Sequence, residues 1–371
     1  MMELMRKLLI LLPFFLAATA FGQTYIVEPF ADATASGGSG YNVGDPLDIQ
    51  TNAQGRIWFA VGTTNSSGPA VVITNNTPLT MPGLLPSATG NQILLQNVLG
   101  PGGRLSIGGH PATTQTNIFY SIIIQVQDMT HLLTANTNHG GGSFNIGFNN
   151  TAGAQSGQPT VIGAGCFMGK STAGDGFLLG TARQSGYRYW EADPSNPGSA
   201  LHHVGDTIFV VGEYSIFPGA TNDIAQLWVN PDPSTFGAAT APTPTIYADD
   251  SGAATPDADL SAVPSFILVN RNTGTADRVV VDELRIGHTW AEVTPAAATA
   301  SAPNLTISLL DPTTVQLAWP TNSTGYSLQG VAQVLSSGTA WTNITGTPNT
   351  SGTNFILTET LSGKKFYRLI K

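Results

Sequence analysis

Between residue 24 and about residue 294, the sequence is a succession of short apolar or alternating runs separated by turns rich in Gly, Asn, Pro and Ser. The runs have strand length and are rich in the β-branched and aromatic residues that strands favour. Almost no stretch keeps the periodicity of an amphipathic helix. Many strands without alternating helices predict an all-β fold with two packed sheets, a sandwich or jelly roll. Examples of these runs are GRIWFAVG, FYSIIIQVQ, DTIFVVGEYSI and RVVVDELRIG.

The pattern also predicts two domains. Residues 295–303, PAAATASAP, are small residues bounded by prolines and without an apolar pattern, which is typical of a linker. Several further short runs follow in residues 304–371, enough for a small sandwich of the immunoglobulin or fibronectin type. Trp319 and Tyr367 are the expected core anchors of this second domain. The first domain is expected to span residues 24–294.

Residues 1–22 predict a secretory signal peptide. Arg6 and Lys7 precede the apolar run Leu8–Leu16, and small residues follow, so cleavage is expected near Ala20–Gln23. The alternative is a membrane anchor, but the run is shorter than the roughly 20 residues that a spanning helix needs. We therefore expect a secreted or cell-surface protein with no membrane span in the mature chain.

The charge pattern argues against two classes of partner. Only 10% of the residues are charged, the formal net charge is −9, and basic residues cluster only in KKFYRLIK. Nucleic acids and anionic membranes bind clustered Lys and Arg, so neither is expected as a partner. Cys166 is the single cysteine, which excludes an intramolecular disulfide, and its apolar surroundings predict a buried thiol.

The stretch VVVDELRIGHTW contains an acidic pair, Asp282 and Glu283, inside a run of strand residues. Adjacent strand residues point to opposite faces, so the two carboxylates are not expected to act together on one bond. Asp282 is expected to be buried and hydrogen-bonded to a loop backbone. Glu283 and Arg285 are expected to form an exposed ion pair on the other face. Val280, Leu284 and Ile286 are expected to lie on the same face of the strand as Asp282.

The stretch VVVDELRIG resembles the last strand of bacterial laminin-G-like domains of the concanavalin A-like superfamily. EPFADAT, GDTIFVVGEYSI and NDIAQLWVNPDPSTFG are similar to segments of exported bacterial jelly-roll proteins, and the stretch from NLTISLL to FYRLIK resembles their fibronectin type III-like C-terminal modules. The resemblance implies a two-sheet concanavalin A-like jelly roll followed by a small sandwich. It also implies an extracellular role, often the binding of glycans or matrix.

The segment GYRYWEADPSNPG is the strongest candidate for ligand binding. Exposed aromatic rings stack on sugar faces, while carboxylates and amides bind hydroxyl groups. The candidate ligand-binding residues are Tyr187, Tyr189, Trp190 and Glu191. The alternative is that Tyr187 and Tyr189 share one face of a strand and fill the core.

Two further motifs have weaker chemical interpretations. Asp249, Asp250, Asp257 and Asp259 lie in a loop-like stretch and are candidate Ca²⁺ ligands, although the stretch lacks the EF-hand pattern; the alternative is a solvated acidic loop. HGGG at 139–142 is similar to the oxyanion-hole loop of some esterases, but the nucleophile motif G-x-S-x-G is absent. We therefore interpret it as a glycine-rich turn.

Together these patterns predict an exported, non-catalytic module that recognises polysaccharide or cell-envelope surfaces. One alternative is a polysaccharide-degrading enzyme, a hydrolase or lyase, on the same jelly roll, since one fold hosts both functions. A second alternative is a purely structural surface protein, which would bind no glycan.

Overall fold

The computed structural model describes residues 26–370 except for 33–39, 49, 53, 63–69, 74–76, 87–89, 97–101, 112–113, 137–138, 140–141, 143–144, 173–174, 185, 197–199, 271–273, 275, 298–302, 322, 324 and 335–337. The chain divides into two compact units, Met1–Ala297 and Ala298–Lys371. The predicted signal peptide at residues 1–22 lies outside the described residues. No helix in the described part of the chain is long and apolar enough to cross a membrane.

The described strands of the first unit are β1 (Ile26–Glu28), β2 (Trp58–Val61), β3 (Val71–Ile73), β4 (Gln92–Gln96), β5 (Gly102–Ser106), β6 (Thr116–Asp128), β7 (Asn145–Asn149), β8 (Ile162–Lys170), β9 (Phe177–Ala182), β10 (Arg188–Trp190), β11 (Thr207–Ile216), β12 (Ile224–Val229), β13 (Ile246–Ala248), β14 (Ser265–Val269) and β15 (Arg278–Gly287). Helix in the described residues is limited to a 3₁₀ turn, Pro233–Thr235, and one short helix, α1 (Trp290–Val293). The all-β prediction is confirmed.

The strands of this unit form two antiparallel sheets. The first has the order β13-β12-β11-β6-β15-β4-β3, with β1 also paired to β15. The second has the order β10-β9-β8-β7-β14-β5-β2. A single large cluster of buried residues contains side chains from strands of both sheets, such as Tyr120 of β6 and Phe148 of β7. The unit is therefore a two-sheet β-sandwich, as predicted, and β10 is an edge strand.

The central strands of the eight-stranded sheet are apolar on both faces. In β6, Ile122 belongs to the main core, whereas Phe119 and Ile123 belong to a second cluster on the opposite face. Trp228 and Trp290 belong to that second cluster, with the tryptophan rings 5.1 Å apart. Because both faces of β6 are covered, its sequence is a continuous apolar run and does not alternate between apolar and polar residues.

A β-bulge in β15 corrects the predicted geometry of the acidic pair. The pairing of β15 with β6 shifts register between Asp282 and Arg285, and Glu283 has a φ of 56°. An extra residue in a strand reverses which side chains face the core beyond it. Leu284 and Ile286 therefore lie in the main core on the face opposite Asp282, and the prediction that they share its face is wrong.

The burial of Asp282 is confirmed, but the exposure predicted for the neighbouring ion pair is wrong. The Asp282 carboxylate accepts hydrogen bonds from the Leu79 amide at 3.2 Å and from Gln92 Nε2 at 3.1 Å. Burial raises its pKa to about 6. Glu283 and Arg285 do pair, at 2.7 Å, but both are buried because residues 79–85 cover them; Arg285 also donates to the carbonyl of Leu85.

The second unit also contains two antiparallel sheets. Its strands are β16 (Thr306–Asp311), β17 (Thr314–Pro320), β18 (Ser327–Val331), β19 (Thr342–Asn343), β20 (Asn349–Ser351), β21 (Asn354–Thr360) and β22 (Phe366–Ile370). One sheet has the order β16-β17-β21-β20 and the other β19-β18-β22. Trp319 is buried in the core of this unit, and Tyr367 packs against that core, as expected of anchors.

The first residues of the predicted linker belong to the first unit. The Leu85 amide donates to the carbonyl of Pro295 at 2.8 Å, and the Ala297 amide donates to the carbonyl of Gly83 at 2.7 Å. These backbone bonds extend the first unit to Ala297. The remaining linker residues, up to residue 302, lie outside the described residues.

Candidate functional site

The predicted aromatic segment contains β10, an edge strand of the seven-stranded sheet. Within β10, Tyr189 pairs with Thr181 and Trp190 with Gly180 of β9. The Trp190 indole lies against three glycines, Gly142, Gly169 and Gly180, where an added Cβ atom would come within 2.7, 2.9 and 2.6 Å of the ring. Any side chain at these positions would displace the indole, so the half-buried Trp190 can pack here only because all three residues are glycines.

His139 and Gly142 are joined to β10 by hydrogen bonds. The Arg188 amide donates to the carbonyl of His139 at 3.0 Å, and His139 Nδ1 lies 2.8 Å from the carbonyl of Arg188. Arg188 Nη1 donates to the carbonyl of Gly142 at 2.8 Å. The Tyr187 ring stacks on the imidazole of His139 with 3.8 Å between centroids. These contacts therefore place His139 beside the aromatic segment.

These side chains border an open cleft of about 420 Å³. Its described lining residues are His139, Tyr189, Trp190, Ala192, Asp193 and Pro194. The Asp193 carboxylate is held by the amide and hydroxyl of Ser195, at 2.9 and 2.7 Å, and these two bonds hold the pKa of that carboxyl below its usual range. The cleft thus combines three rings with a carboxylate that stays ionised.

The four predicted ligand-binding residues separate into different roles. Tyr189 and Trp190 line the cleft, whereas Tyr187 supports His139 from beside it. Glu191 is not among the described lining residues. Its carboxylate is buried, accepts a hydrogen bond from the Leu179 amide at 2.7 Å and lies 2.9 Å from His202 Nε2. Glu191 therefore fastens the edge strand to β9 instead of facing the cleft.

The acidic loop adjoins the aromatic segment. The Asp257 carboxylate accepts hydrogen bonds from the amides of Gly186 at 2.9 Å and Tyr187 at 3.4 Å. The hydroxyl of Tyr187 donates to the carbonyl of Gly252 at 3.3 Å. The structure therefore brings the two predicted sites together, and the acidic loop positions the turn that leads into β10.

The aspartates of this loop surround a buried arginine. Arg183 Nε lies 3.3 Å from Asp250 Oδ2, and Nη1 lies 3.8 Å from Asp259 Oδ1. Arg183 also donates to the carbonyls of Thr221, at 2.6 Å, and Asp257. Its side chain and that of Asp250 are fully buried. The Arg183 guanidinium is therefore a buried cation that lies close to two of the candidate aspartates.

Other aspartates of the loop accept hydrogen bonds from backbone amides, and Ca²⁺ ligation stays a prediction. Asp249 accepts from the amide of Ser251, and Asp259 accepts from the amides of Asn222 and Asp223. Among the described residues, no group of three or more His, Cys, Asp or Glu side chains is arranged to hold a metal ion. Asp250 is buried, so the alternative of a solvated acidic loop does not describe it either.

The acidic loop also changes the electrostatics of the cleft. Partial burial, and then the negative charges of Asp250 and Asp249, raise the pKa of Tyr189 to about 12. The Tyr189 phenol is therefore neutral at physiological pH.

Cys166 lies in the main core, where burial raises the pKa of its thiol. The predicted burial of Cys166 is confirmed.

Sequence reasoning missed His139, Ala192, Asp193 and Pro194 as lining residues. The last three lie in the quoted segment GYRYWEADPSNPG, immediately after the aromatic residues, so their proximity was available from the sequence. His139 is different, because it precedes Arg188 by 49 positions and meets it through hydrogen bonds between residues that are distant in the sequence.

Comparison with protein-family models gives no match, and comparison with curated proteins gives none either. Among solved structures, the chain is similar to the receptor binding domain of botulinum neurotoxin D, with 9% identity, 80% of each chain covered and a TM-score of 0.29. It is also similar to the botulinum neurotoxin serotype D ligand binding domain in complex with N-acetylneuraminic acid, with 8% identity, 80% of each chain covered and a TM-score of 0.28.

A third similar structure is the Emp47p carbohydrate recognition domain, with 8% identity and a TM-score of 0.25 over 58% of this chain and 92% of that one. Likenesses at these identities and TM-scores assign no function to this chain. The function proposed below therefore rests on the cleft.

Proposed function

We propose that the chain is a non-catalytic carbohydrate-binding protein and that the cleft beside β10 is its glycan site. The observation that carries the proposal is the convergence of Tyr189, Trp190 and His139 around about 420 Å³ of open space. Ligand sites are typically concave, lined mainly by apolar and aromatic groups, with a few polar groups that fix orientation. The rings offer stacking surfaces for the apolar face of a sugar, and Asp193 offers acceptors for its hydroxyl groups.

The charges around the cleft favour a neutral or amino-substituted sugar over a uronate or a sulfated sugar. Asp193 lies in the cleft, while Asp249 and Asp250 are close enough to raise the pKa of Tyr189. The chain as a whole carries a formal net charge of −9. An anionic sugar would meet like charges here, which costs binding free energy. The amino group of an amino sugar would instead form an ion pair with the Asp193 carboxylate.

The proposal places this binding outside the cell, because the first residues of the sequence predict a signal peptide. Binding of polysaccharide or of cell-surface glycan by an exported sandwich agrees with the family resemblance described above. N-terminal sequencing of the protein from the culture medium tests the export. A mature chain that starts near residue 23 supports it, and a chain that stays inside the cell with an intact N-terminus contradicts it.

The first experiment is a glycan-array screen of the full chain, in which every bound glycan is then assayed for new reducing ends. The described lining residues include one carboxylate, Asp193, whereas hydrolysis by two carboxylates needs a pair about 5–10 Å apart. We expect binding to neutral or amino-substituted glycans without cleavage. Cleavage would establish the enzymatic alternative, and a failure to bind any glycan would favour a structural protein.

Replacing Trp190 by Ala is expected to weaken glycan binding by about 10- to 100-fold, because a half-buried aromatic anchor of a binding site typically contributes that much. Isothermal titration of the array hit measures the change. The matched control is Trp341→Ala, which removes a half-buried tryptophan from the second unit and is expected to leave affinity unchanged. Equal losses in the two variants, or no loss in the Trp190 variant, would place the site elsewhere.

A further inference from the structure

The second unit has one side on which both of its sheets end. The four-stranded sheet has β16 and β20 at its edges, and the three-stranded sheet has β22 and β19. Only residues 344–348 separate β19 from β20, so these two edges must lie on the same side of the unit. The other two edges, β16 and β22, therefore lie together on the opposite side, called the open side below.

An apolar strip of the inner sheet face is uncovered on the open side. Ile307 and Leu309 pair directly with Leu317 and Val315, and directly paired residues point to the same face of a sheet. Leu317 and Val315 are buried, so this face is the inner one. Yet Ile307 is 49% exposed and Leu309, the most exposed large apolar side chain in the described residues, is 67% exposed. The opposing sheet therefore ends one strand short of covering β16.

The neighbouring strand of the opposing sheet has a free edge. Among the described strands, β22 pairs only with β18. Its outer residues Phe366 and Ile370 are also partly exposed apolar side chains. A strand added beside β22 would use this edge and would extend the three-stranded sheet over Ile307 and Leu309. Addition of a strand to an open sheet edge is a general mode of peptide recognition.

The charges of the open side indicate what kind of strand fits. Residues 298–371 contain four Lys and Arg against two acidic residues, a net charge of +2, while the remainder of the chain carries −11. Lys364, Lys365 and Arg368 all lie in or immediately before β22. Lys365 pairs with Glu359, and Arg368 donates to Gln329 of β18, so Lys364 is the cation of this group that none of these contacts engages. A second copy of β22 would bring these cations against their own counterparts, which is unfavourable. An acidic strand would complement them.

We propose that the free edge of β22 binds one extended, acidic, alternating apolar segment of a partner protein. The segment adds as a fourth strand to the three-stranded sheet. Its inward side chains cover Ile307 and Leu309, and its acidic side chains lie beside Lys364. This interaction uses residues of the second unit, whereas the described lining of the glycan cleft belongs to the first unit.

The test uses the full chain and a short synthetic peptide in which Val and Thr alternate and Glu residues flank the centre. We expect saturable binding by fluorescence anisotropy and slower hydrogen exchange of the amides of residues 366–370. Affinity is expected to fall about tenfold when the Glu residues become Lys, since the charges then repel. A proline at the peptide centre, which removes a backbone donor, is expected to abolish binding.

Variants of the full chain complete the test. Leu309→Asp is expected to lower peptide affinity about tenfold, because it places a charge on the strip that the peptide covers. Its control is Val334→Asp, which changes a side chain of similar chemistry that is 50% exposed outside β16 and β22 and is expected to have no effect. Peptide binding without protection of residues 366–370, or no binding by the folded chain, would overturn the proposal. Self-association of the chain that Leu309→Asp abolishes would identify a second copy as the occupant and would also overturn it.

Discussion

Replacing Arg183 by Met is expected to lower the free energy of unfolding by about 3–5 kcal/mol, the usual effect of breaking a buried ion pair from one side. The Arg183 side chain is fully buried, lies 3.3 Å from Asp250 and donates to two backbone carbonyls. Without it, a fully buried carboxylate and two carbonyls lose their cationic partner. Methionine has a similar length and is apolar, so the loss comes from the missing charge and donors and not from a large cavity.

Urea denaturation of the full chain, followed by the fluorescence of its tryptophans, measures this change. The matched control is Arg278→Met, at an exposed position in β15, which is expected to stay within about 0.5 kcal/mol of the native chain. Arg183→Lys is expected to be intermediate, because it keeps the charge and loses the planar pair of donors. A loss below about 1 kcal/mol for Arg183→Met would show that Arg183 does not hold the acidic loop in place.

Replacing Glu28 by Gln is expected to make the free energy of unfolding less dependent on pH. In the native chain, the raised pKa of Glu28 lowers this free energy by about 3 kcal/mol between pH 4.5 and pH 7, and the variant lacks this loss. Glu28 is buried, and its carboxylate accepts hydrogen bonds from the Phe30 amide at 2.9 Å and from the Tyr41 hydroxyl at 2.8 Å. Trp58 Nε1 in turn donates to that hydroxyl at 2.5 Å. Burial raises the pKa of Glu28 from 4.5 to about 7.

The sign follows from proton binding. Between pH 4.5 and pH 7 the folded chain keeps a proton on Glu28 that the unfolded chain releases, so the native chain loses stability as pH rises through this window. Glutamine does not titrate, and its amide oxygen still accepts from the Phe30 amide. We therefore expect Glu28→Gln to be more stable than the native chain above pH 7 and to have a shallower pH dependence.

Thermal and urea unfolding at several pH values between 4 and 8 measure the difference between the two chains. A residual slope is expected in the variant, because burial also raises the pKa of Asp282 to about 6. Asp175→Asn, at an exposed position, serves as the control and is expected to follow the native pH dependence. Parallel curves for Glu28→Gln and the native chain would contradict a protonated, buried Glu28.

The sequence by itself determined the class of fold. Short β-branched runs between Gly, Asn and Pro turns predict strands because these signals act over a few residues, and the structure contains two sandwiches of such strands. The same local reasoning correctly predicted that Cys166 and Trp319 are buried. The choice of the segment that contains Tyr189 and Trp190 as a binding site stays a prediction. Export and the predicted signal peptide remain predictions from the sequence.

Only the tertiary structure decided which of these residues meet and which way they point. Alternation along β15 predicted the wrong faces beyond Asp282, because a bulge leaves no signature in the order of apolar residues. His139 reaches the cleft through pairing with Arg188, far along the chain. Arg183 and Asp250 come together in the same way, across 67 positions of the sequence, and form a buried ion pair. The physical reason is that strand propensity is local, whereas sheet register and the partners of buried charges depend on contacts between distant residues.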